Sequence, residues 1–150
     1  MNVVEELEKH YIYIFKIDLL KSHVSTLYRI IKETNEDIEK CKAWGLNLGT
    51  NRIIEQSEKF TKDIERTKLE INQLTTISDR MRFIIQSLDP EEQQVIDYTY
   101  NKNLSYSSIG GEIKLSRSTI HRIKHKSLLK IELCLSVAPA AAPAALAAAI

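Results

Sequence analysis

Glycine and proline are scarce in this chain of 150 residues, four and three in number, and neither occurs between residues 3 and 43. Nothing there interrupts a helix. Cysteine occurs only twice, as Cys41 and Cys134, too few and too far apart for a disulfide framework. Each lies in an apolar helical stripe, so both read as buried thiols of a reducing compartment. No apolar run is long enough to suggest a membrane span. The start, Met1-Asn2-Val3-Val4-Glu5-Glu6, has no basic region ahead of an apolar one, so no secretory signal and a cytoplasmic location are expected. A Gly-rich phosphate loop, a CxxC pair and a GxSxG elbow are all missing, and the chain reads as a protein without enzymatic activity or cofactor. His121 and His125 have the spacing of metal ligands on a helix. The intervening Arg122-Ile123-Lys124 supplies no carboxylate and two positive charges, so no metal site is expected.

What is present is ordinary in bulk and uneven in detail. Apolar residues make up 43% and charged ones 27%, the composition of a soluble folded chain. The net charge is +1, and residues 1–87 balance 14 Lys and Arg against 14 Asp and Glu. From Lys114 to Lys130, however, Lys114, Arg117, Arg122, Lys124, Lys126 and Lys130 stand without one acid. A neutral body with one basic element suits a nucleic-acid contact confined to that element, because phosphate attraction depends on clustered charge.

Residues 1–87 read as coiled-coil, oligomerising helices. Leu20, Val24, Leu27, Ile31, Thr34, Ile38 and Cys41 alternate steps of four and three, a heptad seam. Leu7, Tyr11, Ile14 and Ile17 continue it in a slipped register, and Ile12, Phe15 and Leu19 are expected to widen the buried stripe. Trp44 to Asn51, with two glycines and two asparagines, predicts a loop. A second seam then runs through Phe60, Ile64, Thr67, Ile71, Leu74, Ser78, Met81, Ile85 and Leu88, flanked by mixed charges. Two such helices joined by a short loop fold most simply into an antiparallel hairpin. A lone hairpin buries little surface for its length, which predicts a homo-oligomer, a dimer in the first instance.

Residues 88–135 read as a separate helix-turn-helix domain. Asp89 can cap a helix, Pro90 fits its first position, and Glu92 can reach back to the cap's N–H. After the polar Asn101-Lys102-Asn103, Ser105 or Ser107 can cap a short helix, which leads through a three-residue turn to a basic helix starting after Ser116. Ile109, Ile113, Leu115, Ile120 and Ile123 fall where the corner of such a motif needs apolar side chains, and Gly110 where the helices approach closely. Lys114 stands where the turn commonly has Gly, and Gly111 weakens the first helix by roughly 1 kcal/mol relative to Ala.

With Ile120 and Ile123 inward, a rotation of about 100° per residue turns Arg117, Ser118, His121, Arg122 and His125 outward. Arg117 and Arg122 can each donate two hydrogen bonds to a guanine edge, and Ser118 and His121 can make shorter polar contacts. Ser116, Thr119, Lys124 and Lys126 are placed for phosphates, and Ser107 is a further DNA-binding candidate. Double-stranded DNA is the partner this arrangement predicts.

The stretch Leu88-Asp89-Pro90-Glu91-Glu92-Gln93-Gln94-Val95-Ile96, then Tyr100, then Leu115 to Lys124 and Ser127-Leu128-Leu129-Lys130, resembles the C-terminal domain of phage-encoded late-gene transcriptional regulators of the ArpU/RinA type. That domain is similar to the last helix-turn-helix domain of bacterial sigma factors. The resemblance implies a DNA-binding activator of a phage or prophage, with Arg117, Ser118, His121 and Arg122 in recognition positions and host RNA polymerase as a candidate partner. The full expectation is an all-α protein: a long coiled-coil hairpin, a helix-turn-helix domain and an Ala/Pro-rich tail over residues 136–150, either flexible or added to the natural chain. Two other readings stay open, a DNA-recognition subunit of a phage packaging (small terminase-like) machine and a helical protein-interaction adaptor.

Overall fold

The structure, a computed structural model, describes residues 2–45 and 50–137. These residues are almost entirely helical and contain no strand. Helix α1 (Val3–Ala43) is followed by α2 (Thr50–Gln86), α3 (Pro90–Ile96), a π-helical turn (Asp97–Asn101), α4 (Tyr106–Ile113) and α5 (Arg117–Val137). The all-α architecture of a long helical hairpin followed by a helix-turn-helix is therefore as expected. Of the anticipated loop, Gly45 ends α1 at a φ of 72°, with its N–H bonded to Lys42 O at 3.1 Å. Residues 46–49 lie outside the described residues, as do residues 138–150 of the Ala/Pro-rich tail; Ser136 and Val137 belong to α5.

The chain divides into two compact units. The first, Phe15–Thr75, is the hairpin of α1 and α2. Val24, Leu27 and Ile64 form a buried cluster in it, closed by Ile31, Phe60 and Ile71, all seam positions of the two heptads. Thr67 occupies a seam position because its hydroxyl donates to Asp63 O at 2.7 Å, satisfying the polar group within its own helix. On the flanks Lys16 pairs with Glu70 at 3.1 Å, and Lys68 donates to the Tyr28 hydroxyl at 2.6 Å. Ile12, Phe15 and Leu19 do not widen the buried stripe: they are 62%, 65% and 55% exposed. One partner helix can cover only one seam, and residues turned away from it stay exposed among the described residues.

The second unit runs to Ile14 and resumes at Thr76. Its core joins four helices: Val3 and Leu7 of α1, Met81 and Ile84 of α2 with Leu88 just after it, Ile96 of α3, and Ile131 and Leu135 of α5. The expected boundary between residues 87 and 88 thus falls inside this unit. Without Val3 and Leu7, Ile96 and Ile131 would lose part of their cover, and full burial of such a side chain stabilises by about 1.5–3 kcal/mol. His10 continues this side of α1 and is 3% exposed. Burial first, and the nearby Arg82 charge second, lower its pKa from 6.5 to about 4, so it is neutral at physiological pH. Tyr11 meets it edge-on at 5.2 Å.

The expected burial of both cysteines is not found. Cys41 is half-buried and Cys134 is exposed, because α5 turns Ser127, Ile131 and Leu135 inward and leaves Cys134 off that face.

Candidate nucleic-acid interface

The helix that supports the interface starts where the sequence places it, with Asp89 extended (φ −61°, ψ 150°) and Pro90 at the first position. The Asp89 side chain makes no capping hydrogen bond, contrary to expectation. Glu92 takes up more of the work than a capping partner would. It is 4% exposed, and its carboxylate accepts from Ser127 Oγ at 3.2 Å and from Lys130 Nζ at 2.6 Å. Burial raises its pKa, but hydrogen bonds from Lys130 and Asp89 outweigh that and hold it below the usual carboxylate value. Glu92 therefore stays ionised and ties α3 to α5 across the back of the recognition helix.

The π-helical turn was not foreseen. Lys102 N–H reaches Asp97 O at 3.1 Å, and Leu104 N–H reaches Tyr98 O at 2.9 Å. Asn103 at a φ of 53° then redirects the chain, and Ser105, not Ser107, caps α4 by accepting from Ser108 N–H at 3.2 Å.

The corner between α4 and α5 closes on Gly110. A Cβ there would stand 2.8 Å from Leu115 O and 3.4 Å from Ile120 Cδ1, so only glycine fits without a shift of backbone. Lys114 takes the left-handed conformation (φ 57°, ψ 43°) that the turn requires, although it has a side chain. Ser116 caps α5, accepting from Thr119 N–H at 3.3 Å, with the two hydroxyls 2.7 Å apart. Val95, Ile109 and Ile120 are fully buried in the corner, with Ile113, Leu115 and Ile123 packed around them.

This leaves Arg117, Ser118, His121, Arg122, His125 and Lys126 exposed on α5, the face that rotation from the buried isoleucines predicts. Ser107 is exposed in the first turn of α4, and Ser116 is exposed at the start of α5, while Thr119 is half-buried. The rings of His121 and His125 stack with centroids 6.2 Å apart and planes within 9° of parallel. Lys124 is half-buried and engaged within the protein. Its Nζ donates to the Tyr106 hydroxyl at 3.0 Å and stands 5.1 Å from the Tyr106 ring centroid and 5.7 Å from that of Tyr100. Burial lowers the Lys124 pKa, yet the Tyr106 hydrogen bond and the two phenol groups outweigh it and leave a net rise. The pairing of Lys124 with Tyr106 and Tyr100 had no signal in the sequence, since neither has a helical spacing to Lys124. Among the described residues no group of three or more His, Cys, Asp or Glu could hold a metal ion, and no helix is long and apolar enough to cross a membrane.

Two helices meeting over a glycine, the second capped and cationic on its free face, form a helix-turn-helix of the DNA-binding kind. Residues 84–132 match the family model of Sigma-70, region 4, so the chain carries a sigma-like helix-turn-helix over that stretch. No curated protein and no solved structure matches the chain.

Proposed function

We propose that this protein is a sequence-specific transcription regulator, an activator of phage or prophage genes of the ArpU/RinA type, that acts by binding double-stranded DNA and not by catalysis. The observation that carries this reading is the exposed face of α5: Arg117, Arg122 and Lys126 stand free beside Ser118 and His121 on a helix held by the Gly110 corner. α5 enters the major groove with Arg117, Ser118, His121 and Arg122 toward base edges, while Ser107, Ser116 and Lys126 lie toward phosphates. The long N-terminal helices hold two copies together, a reading supported by the apolar Phe15 and Leu19 that the hairpin leaves exposed. The protein works in the cytoplasm, and host RNA polymerase is its further partner.

The test is a binding titration against duplexes from phage promoter regions at several salt concentrations. The logarithm of the affinity should fall linearly with that of salt, by about 0.9 for each phosphate contacted. An affinity indifferent to salt would sink the reading. Arg122→Ala should cost about 1–3 kcal/mol and relax preference at one base pair, whereas Lys126→Ala should weaken all duplexes alike.

A further inference from the structure

We propose that Tyr106 is the positioning residue of the recognition face: it braces His121 for base contact and withholds Lys124 from the DNA phosphates. This rests on the DNA-reading role proposed above and assigns two of its side chains distinct parts.

By sequence Lys124 is one more cation of α5, between Arg122 and Lys126. By geometry it is half-buried and held against the protein's own tyrosines. Its Nζ donates to the Tyr106 hydroxyl at 3.0 Å and lies against two aromatic faces, one from α4 and one from the π-helical turn. To reach a phosphate it must give up a hydrogen bond made by a charged donor and two cation–π contacts. Arg117, Arg122 and Lys126 are exposed and surrender no such set. Lys124 remains charged and stitches α4 and the π-helical turn to α5 without making a direct phosphate contact.

The same phenol ring meets the His121 ring edge-on at 5.7 Å, and His121 in turn stacks on His125. An exposed imidazole on a helix samples several rotamers. An edge contact on one side and a parallel ring on the other select one of them before DNA arrives, which lowers the ordering cost of a base contact. A cation kept back reduces affinity for every sequence, and an imidazole held in place favours one. Only the second effect raises the ratio of specific to non-specific binding.

The experiment uses the full chain and a duplex selected by the wild-type protein from a random library, with a second duplex altered at one base pair. Lys124→Met should leave the slope of log affinity against log salt unchanged, whereas Lys126→Met should reduce it by about 0.9. Tyr106→Phe keeps the ring and removes the acceptor oxygen; it should steepen the slope by up to about 0.9 while keeping base discrimination. Tyr106→Leu should also lower discrimination between the two duplexes several-fold, and in the DNA-free protein should remove the Tyr106 contribution to the ring-current shift of the His121 resonances. Thermal unfolding of each variant separates these effects from loss of fold, with Tyr106→Phe as the conservative control. A Lys124→Met slope reduced as much as that of Lys126→Met overturns the withheld cation, and wild-type discrimination in a folded Tyr106→Leu overturns the brace. If the wild-type protein binds no duplex in a salt-dependent way, the DNA reading fails with the proposal. A His121 shift that still changes in Tyr106→Leu then marks the failure as one of function, not geometry.

Discussion

The hairpin of Phe15–Thr75 and the unit that carries the helix-turn-helix are both helical with apolar interiors, yet they cohere in different ways. The hairpin is one uninterrupted span of chain with a repeating seam, and its Lys16–Glu70 ion pair is half in water, with side chains 51% and 44% exposed. The other unit gathers its core from four helices, and its key carboxylate, Glu92, is 5% exposed where it meets Lys130. Periodic packing is tolerant because each layer resembles the next. Packing assembled from distant segments depends on single residues, and there the loss of one contact should propagate.

Leu7 tests that contrast most severely. It is fully buried against the core that includes Ile96 and Ile131, so Leu7→Ala should cost about 2–5 kcal/mol in denaturant unfolding. An unchanged midpoint for the helix-turn-helix signals would show that the first turns of α1 do not belong to that core. His10 in the same unit adds a pH dependence. Its folded pKa lies at about 4, below its usual 6.5, so its contribution is complete above pH 6.5 and drains away as pH falls toward 4. The loss amounts to about 3 kcal/mol at 1.36 kcal/mol per unit. His10→Gln should flatten the stability profile in that window; identical profiles would place the imidazole in water.

Glu92→Ala and Glu70→Ala compare the two kinds of ion pair directly. The first strips a buried acceptor from Ser127 and Lys130 and should cost about 1.5–3 kcal/mol. The second should cost less than about 1 kcal/mol, because an exposed pair is screened by solvent. Equal losses by calorimetry would erase the distinction. The adjacent glycines give effects of opposite sign. Gly110→Ala forces a Cβ onto Leu115 O and should destabilise by about 1–3 kcal/mol. Gly111→Ala has nothing within 4 Å to meet and should stabilise α4 by up to about 1 kcal/mol.

Much of this architecture was legible in advance wherever it depended on spacing along the chain. The heptad seams, the helix start at Pro90, the close approach at Gly110 and the outward face of α5 all follow from residue type and helical period. The exposed Ile12, Phe15 and Leu19 show the limit of that logic. An apolar stripe announces a preference for burial but not the number of neighbours available to satisfy it.

What the sequence determined by itself was therefore the helices, the glycine-dependent corner and which charges share a face, because these depend on local geometry. Tertiary structure alone decided that the start of α1 completes the core shared by the end of α2, α3 and α5 and that Glu92 meets Ser127 and Lys130. It also decided that Lys124 turns from the basic face toward Tyr106 and Tyr100. Such contacts join residues far apart in the chain, and the energy of a buried charge is set by the partners that folding brings to it, not by its sequence neighbours.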